Sequence, residues 1–280
     1  MASVEPARGR RGAGIHATAE AAARGAFGLV CVLLFVASAA VTVGLGASMS
    51  TMGAMPMRGG WTMSMAWLPM CGQAWPGPAA SFVAMWSAMT VAMMLPSVAP
   101  TLWRYRCAIG RSGARHPARL TVLVGAGYFL VWLGVGIAAC AASVTLAALA
   151  MPWPTLARAV PVAIGGAVLL AGVFQLTAWK ARRLACCREA PRAGHAPVLR
   201  AEDAWRHGLR LGAHCVASCA GLTAVMLVLG IMDLRVMAAV SVAITAERCA
   251  PAGARVARAS GCVALGLGSW LLASAVIGAA

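Results

Sequence analysis

The chain has 280 residues, 61% of them hydrophobic and only 11% charged, with a formal net charge of +16. A soluble domain carries about 25% charged residues, so a water-soluble globular fold is excluded for almost all of it. The positive charge is spread between apolar stretches rather than gathered into one patch, which argues against nucleic acid as a partner and for a lipid bilayer.

Several apolar runs reach the ~20 residues that a helix needs to cross a bilayer core. They do not alternate polar and apolar residues as barrel strands do. The expected fold is therefore all-α, a polytopic transmembrane helical bundle. In chain order, residues 1–24 form an Ala-, Gly- and Arg-rich basic tail, expected to be disordered. The first span, 25–47, is longer than the apolar core of a signal peptide and reads as a retained helix. A Met-rich connection covers 48–78. The second span, 79–103, contains Pro96 and Pro100, which predict a kink. The third and fourth spans are 120–150 and 157–179, followed by a basic loop over 180–208. The fifth and seventh are 209–231 and 259–279. Between them, 234–248 is a short sixth span of about 22 Å; it either thins the bilayer or packs inside the bundle.

Basic residues alternate between the connections. Twenty of the 23 fall in the N-terminal tail and in the connections after the second, fourth and sixth spans; Arg58, Arg158 and Arg235 fall on the other side. With seven spans, the positive-inside rule puts the N-terminus in the cytoplasm and the C-terminus outside.

Catalytic material is scarce: seven acids, five histidines, and no nucleotide fingerprint, phosphate loop or Ser-His-Asp set. The expectation is that the chain is not an enzyme. Sulfur, by contrast, is abundant and clustered. Met49, Met52, Met55, Met57, Met63 and Met65 lie in the first outside connection, and Met85, Met89, Met93 and Met94 follow in the second span. Thioethers are soft donors that suit Cu(I) and not Zn, Mg or Ca, so the loop is a candidate for external metal capture. Methionine is also a flexible apolar filler, a reading that fits a helix better than a Gly-rich loop.

Met85, Met89 and Met93 are spaced by four and share a helix face. In the fifth span Cys215 and Cys219 share a face in the same way, with His214 about 100° to the side. Thiol plus imidazole is a candidate Cu(I) or Zn set, against the alternative that buried Cys acts as a small hydrophobe. Counting 1.5 Å per residue from opposite membrane faces brings Met93 level with Cys215 and Met89 level with Cys219, so the two motifs meet if their helices are neighbours. Glu247, at the end of the short sixth span, is a candidate coupling carboxylate; its other reading is an interfacial acid beside Arg248.

The strings WPGPAASFVAMWSAMTVAMMLPSVAPTLWRYR, FQLTAWKARRLACCREAP and AWRHGLRLGAHCVASCAGLTAVMLVLGIMDLRVMAAVSVAITAERCAP resemble the bacterial predicted metal-binding integral membrane proteins, a domain of unknown function numbered 2182. The resemblance covers roughly residues 60–262 and implies a multi-pass protein of the bacterial inner membrane. By motif it carries a metal role to Met85, Met89, Met93, Met94, His214, Cys215 and Cys219, with Pro96 and Glu247 also matching. The chain departs from the family pattern at Ser218, where a further Cys is expected, and at Thr90 and Thr223, where relatives carry Met.

The leading expectation is an integral membrane protein that handles a soft metal ion, copper first, and exchanges it with a donor or acceptor protein. The alternative is a non-catalytic membrane subunit or assembly factor whose Met and Cys residues only pack.

Overall fold

The structure is a computed structural model that describes residues 7–50, 54–56, 62–64, 76–150, 152–188, 200–230 and 233–277. Its elements are α1 (Ala7–Ser50), β1 (Ala54–Pro56), β2 (Thr62–Ser64), α2 (Pro76–Arg111), α3 (Pro117–Ala150), α4 (Pro154–Leu176), α5 (Ala178–Arg188), α6 (Ala201–Gly230), α7 (Leu234–Cys249) and α8 (Gly253–Ile277). The helical bundle is as expected, with one addition. β1 and β2 pair antiparallel, with Met55 opposite Met63 in the backbone register.

Among the described residues six helices, not seven, are long and apolar enough to cross a membrane: Glu20–Ala47, Ala79–Arg111, Pro117–Leu149, Thr155–Leu176, Ala201–Gly230 and Gly253–Ile277. The sixth expected span is α7, with only 16 residues, or about 24 Å against a core of ~30 Å. It packs inside the bundle against α2, α5, α6 and α8. Its ends are sharply defined. Gly230 closes α6 at φ +134°, a conformation that disfavours any side chain. Asp233 then caps α7, its carboxylate accepting from the backbone N–H of Arg235 at 2.8 Å. Arg248, 14 residues past Leu234, touches Cys215, 15 residues before Gly230. Nearly equal counts from the turn mean that α7 doubles back antiparallel to α6.

Other differences have local causes. Helix α1 starts at Ala7, well inside the expected disordered tail, because ATAEAAARGA is rich in the best helix former. Helix α2 continues through Pro96 and Pro100; both prolines are exposed. The expected 180–208 loop opens with a helix of its own, α5. Thr177 makes that corner: its extended backbone ends α4, and its hydroxyl accepts from the Lys180 N–H at 3.3 Å.

Without a hydrophobic driving force between helices in lipid, close packing depends on small residues. Helix α6 carries the stripe Ala204, Gly208, Gly212, all buried, leading directly to Cys215 and Cys219. A Cβ on Gly208 would run into the backbone of Val124 on α3, and one on Gly212 would stand 2.9 Å from the Tyr128 carbonyl oxygen. The same device joins α4 to α8 through Gly172 and Gly268. This close approach of α3 to α6 is what brings Tyr128 to the sulfur pair.

Gly208→Ala should therefore lower the thermal midpoint of the detergent-solubilised protein, at the ~1–3 kcal/mol typical of overpacking. Gly266→Ala, on the open side of α8 where an added Cβ meets nothing within 4 Å, should be neutral or raise it, since Ala is favoured by about 0.5–1 kcal/mol in a helix. Equal effects of the two substitutions would contradict the close-contact account.

Candidate metal centre

Cys215 and Cys219 project from α6 into the main core, fully buried, with their sulfurs 3.9 Å apart. Three other helices close on them. From α3, the Tyr128 hydroxyl lies 3.0 Å from Cys215 Sγ. From α7, Arg248 Nη1 donates to Cys215 Sγ at 2.9 Å. The same nitrogen reaches Tyr128 Oη at 3.4 Å and Ser97 Oγ of α2 at 3.1 Å. Trp132 lies one turn along α3 from Tyr128, and its buried indole N–H has no hydrogen-bond partner. A guanidinium and a phenol thus converge on Cys215. Such surroundings suit a sulfur that bears negative charge, as a metal-bound thiolate does.

The methionine stripe of α2 enters the same core. Met85, Met89, Met93 and Met94 are all buried in one cluster with Cys215, Cys219, Met226 and Met237. Helix α2 is not packed backbone to backbone on α6; α3 and α7 each pack on both. Side chains bridge the two. Tyr105 stacks on His207 at 5.4 Å, and Arg248 ties Ser97, one turn past Met93, to Cys215. Trp86, between Met85 and Met89, donates its indole N–H to the Trp132 carbonyl oxygen at 2.8 Å. That bond holds the stripe against α3.

The remaining candidates divide. His214 is half-buried and faces α5, its Nδ1 3.1 Å from Arg183 Nη1; its hydrogen-bond partner is thus a cation and not the thiols. Met55 and Met63 share the β pair. Met49 ends α1. Met52, Met57 and Met65 lie outside the described residues. Among the described residues no three His, Cys, Asp or Glu side chains gather as a cage for a harder ion.

Glu247 is buried and fully engaged. Its carboxylate accepts from Lys180 Nζ at 2.7 Å, Gln175 Nε2 at 2.8 Å and Ser260 Oγ at 2.7 Å, and Lys180 also donates to Gln175. This closed cluster ties α4, α5, α7 and α8 together. Lys180 and Arg248, expected to be loop cations, are instead buried side chains at helix ends. Sequence reasoning missed Tyr128, Trp132, Gln175, Lys180 and Ser260. The available signal was polar residues close to apolar runs, together with the Gly208–Gly212 spacing that calls for a near neighbour.

Removing one partner from a buried ion pair strands the other, at about 3–5 kcal/mol, whereas replacing both is often neutral. Glu247→Gln should accordingly lower the unfolding midpoint strongly, and Glu247→Gln combined with Lys180→Met should recover most of the loss. A double variant as unstable as the single would contradict a paired role for Lys180.

The family model of the PpoB2 copper chaperones matches residues 83–271 of the chain. The matched region contains the Met stripe, the Cys pair and both buried charges of α7. The match is to the copper chaperones and carries no reference to domain of unknown function 2182. Comparison with the curated proteins and with the solved structures yields no match.

Proposed function

Because the chain belongs to the PpoB2 family of copper chaperones, we propose that it holds Cu(I) inside the bundle on Cys215 and Cys219, with thioethers of the α2 stripe completing a soft site, and passes the ion to a partner protein. The observation that carries this reading is the buried sulfur pair, 3.9 Å apart and faced by the Tyr128 hydroxyl and the Arg248 guanidinium. With metal–thiolate bonds of about 2.3 Å, that separation subtends about 115° at a shared ion. Such an angle belongs to a three- or four-coordinate centre, which leaves room for one or two thioethers.

Charge arithmetic supports the same assignment. Two thiolates and one Cu(I) sum to −1, and the guanidinium of Arg248 brings the assembly to zero. An uncompensated charge at this depth would cost several kcal/mol. Thioethers are neutral and softer in their hold than thiolates, which suits an ion that has to leave again. Ser218, next to Cys219 with its hydroxyl 3.7 Å from that sulfur, stands where a third thiol would tighten the grip.

The rest of the reading follows the charge pattern. The protein sits in the bacterial inner membrane with its N-terminus in the cytoplasm. The methionines from Met49 to Met65 capture copper on the outer side, and the chain carries out no catalysis. His214, turned to Arg183, is outside the ligand set. Glu247, neutralised by Lys180, serves as the tie that holds α7 in place.

The test is titration of the solubilised protein with Cu(I) against a chromophoric chelator. Loss of an outer group typically costs 10–100-fold in metal affinity, so Cys219→Ser, which removes a ligand, should cost at least about 100-fold. Met89→Leu, with nearly the same volume, should weaken binding less, and Ser218→Cys should strengthen it. Wild-type affinity in Cys219→Ser would place the copper elsewhere.

A further inference from the structure

Helix α1 packs on the bundle through α2, and most of its apolar surface faces outward, with Leu29, Leu33 and Val36 each more than half exposed. At the end where the α1 span begins and the α2 span finishes, the two helices open a cleft of about 790 Å³. Arg24, Arg104, Arg106 and Arg111 line it around Trp103, with Glu20 also in the lining. The guanidiniums of Arg24 and Arg106 lie 5.6 Å and 5.9 Å from the centroid of the same indole ring, and Phe27 braces that ring at 5.4 Å.

Two cations gathered on one ring repel each other, and an exposed cation–π contact contributes only ~0.5–1 kcal/mol. Among the described residues, none of the four arginines forms an ion pair with a carboxylate. The composition explains why: 23 basic residues face only seven acids, so most arginines have no acid to pair with in the chain. Glu20 brings one carboxylate to the lining against four arginines, so the cleft keeps an excess of positive charge that a further anion from outside can meet.

The position of the cleft indicates what kind of anion. Arg24 stands four residues inside the α1 span that begins at Glu20, about 6 Å along the helix. That is headgroup depth, where a Trp such as Trp103 belongs. Beyond it the exposed apolar flank of α1 continues into the hydrocarbon. An occupant with a phosphate at one end and acyl chains at the other matches both halves; a free phosphate matches only the first.

We propose that the cleft between α1 and α2 is a binding site for an anionic phospholipid, with the phosphodiester taken between Arg24 and Arg106 and the acyl chains lying along α1. Basic pockets between membrane helices recognise anionic headgroups by the same physics. The site is independent of the sulfur centre, and its failure would leave the copper reading untouched.

The experiment compares thermal midpoints of the full chain in dodecyl maltoside micelles doped with phosphatidylglycerol or with phosphatidylcholine. A ligand that binds only the folded state raises the midpoint. Phosphatidylglycerol should raise it by several degrees more than phosphatidylcholine. Arg24→Gln combined with Arg106→Gln should abolish that difference, while Arg158→Gln, an exposed cation on α4, should keep it. Equal shifts with the two lipids would overturn the proposal, as would a full shift in the double variant or the same shift from sodium phosphate alone. If the double variant fails to fold, lipid co-purifying with the wild type decides. Enrichment of phosphatidylglycerol over its share of the host membrane supports the site, and no enrichment rejects it.

Discussion

Glu247 and Arg248 are neighbours in sequence and both are buried, so their side chains leave α7 about 100° apart. One therefore demands a cation on its side of the helix, and the other demands acceptors on its own. A charge buried without compensation costs several kcal/mol, and the arrangement of the surrounding helices answers both demands. The turn at Thr177 sends Lys180 to Glu247, where Gln175 and Ser260 complete the carboxylate's hydrogen bonds. On the other side, Ser97, Tyr128 and Cys215 arrive from α2, α3 and α6 at a single nitrogen of Arg248. A helix too short to cross the membrane comfortably thus becomes the pin on which the long ones are set.

The chemical consequence lies at Cys215. A thiol in an apolar helix core ordinarily packs as a small hydrophobe. Here a guanidinium and a phenol reach it, and a second sulfur sits 3.9 Å away. The pin that holds the helices together is also the positive charge nearest the sulfurs, so structural tie and electrostatic partner are the same residue. The glycines of α6 serve that arrangement by letting α3 approach closely enough for Tyr128 to reach the site.

The bundle itself was legible in apolar run length, because lipid offers the backbone no partner and length alone then dictates a helix. The spacing of Met85, Met89 and Met93, and of Cys215 and Cys219, showed which residues share a face, since helical periodicity is local. Two features were out of reach for the same reason: they depend on partners far apart in the chain. Lys180 looks like a loop cation until Glu247 is seen beside it, and Arg248 looks interfacial until Cys215 and Ser97 flank it. His214 shows the converse. Its place next to Cys215 suggested a ligand, but the rotation of one residue turned it towards Arg183. The six-helix count follows from the 16-residue length of α7, and the short run at 234–248 already carried that signal.

Copper X-ray absorption on the Cu(I)-loaded protein tests the central claim most directly, because it reads the ligand atoms themselves. A buried site built on Cys215, Cys219 and the α2 methionines predicts a first shell of sulfur alone, with short thiolate bonds and a longer thioether contribution. Nitrogen or oxygen neighbours in that shell, or a spectrum of thioether sulfur without thiolate, would contradict it.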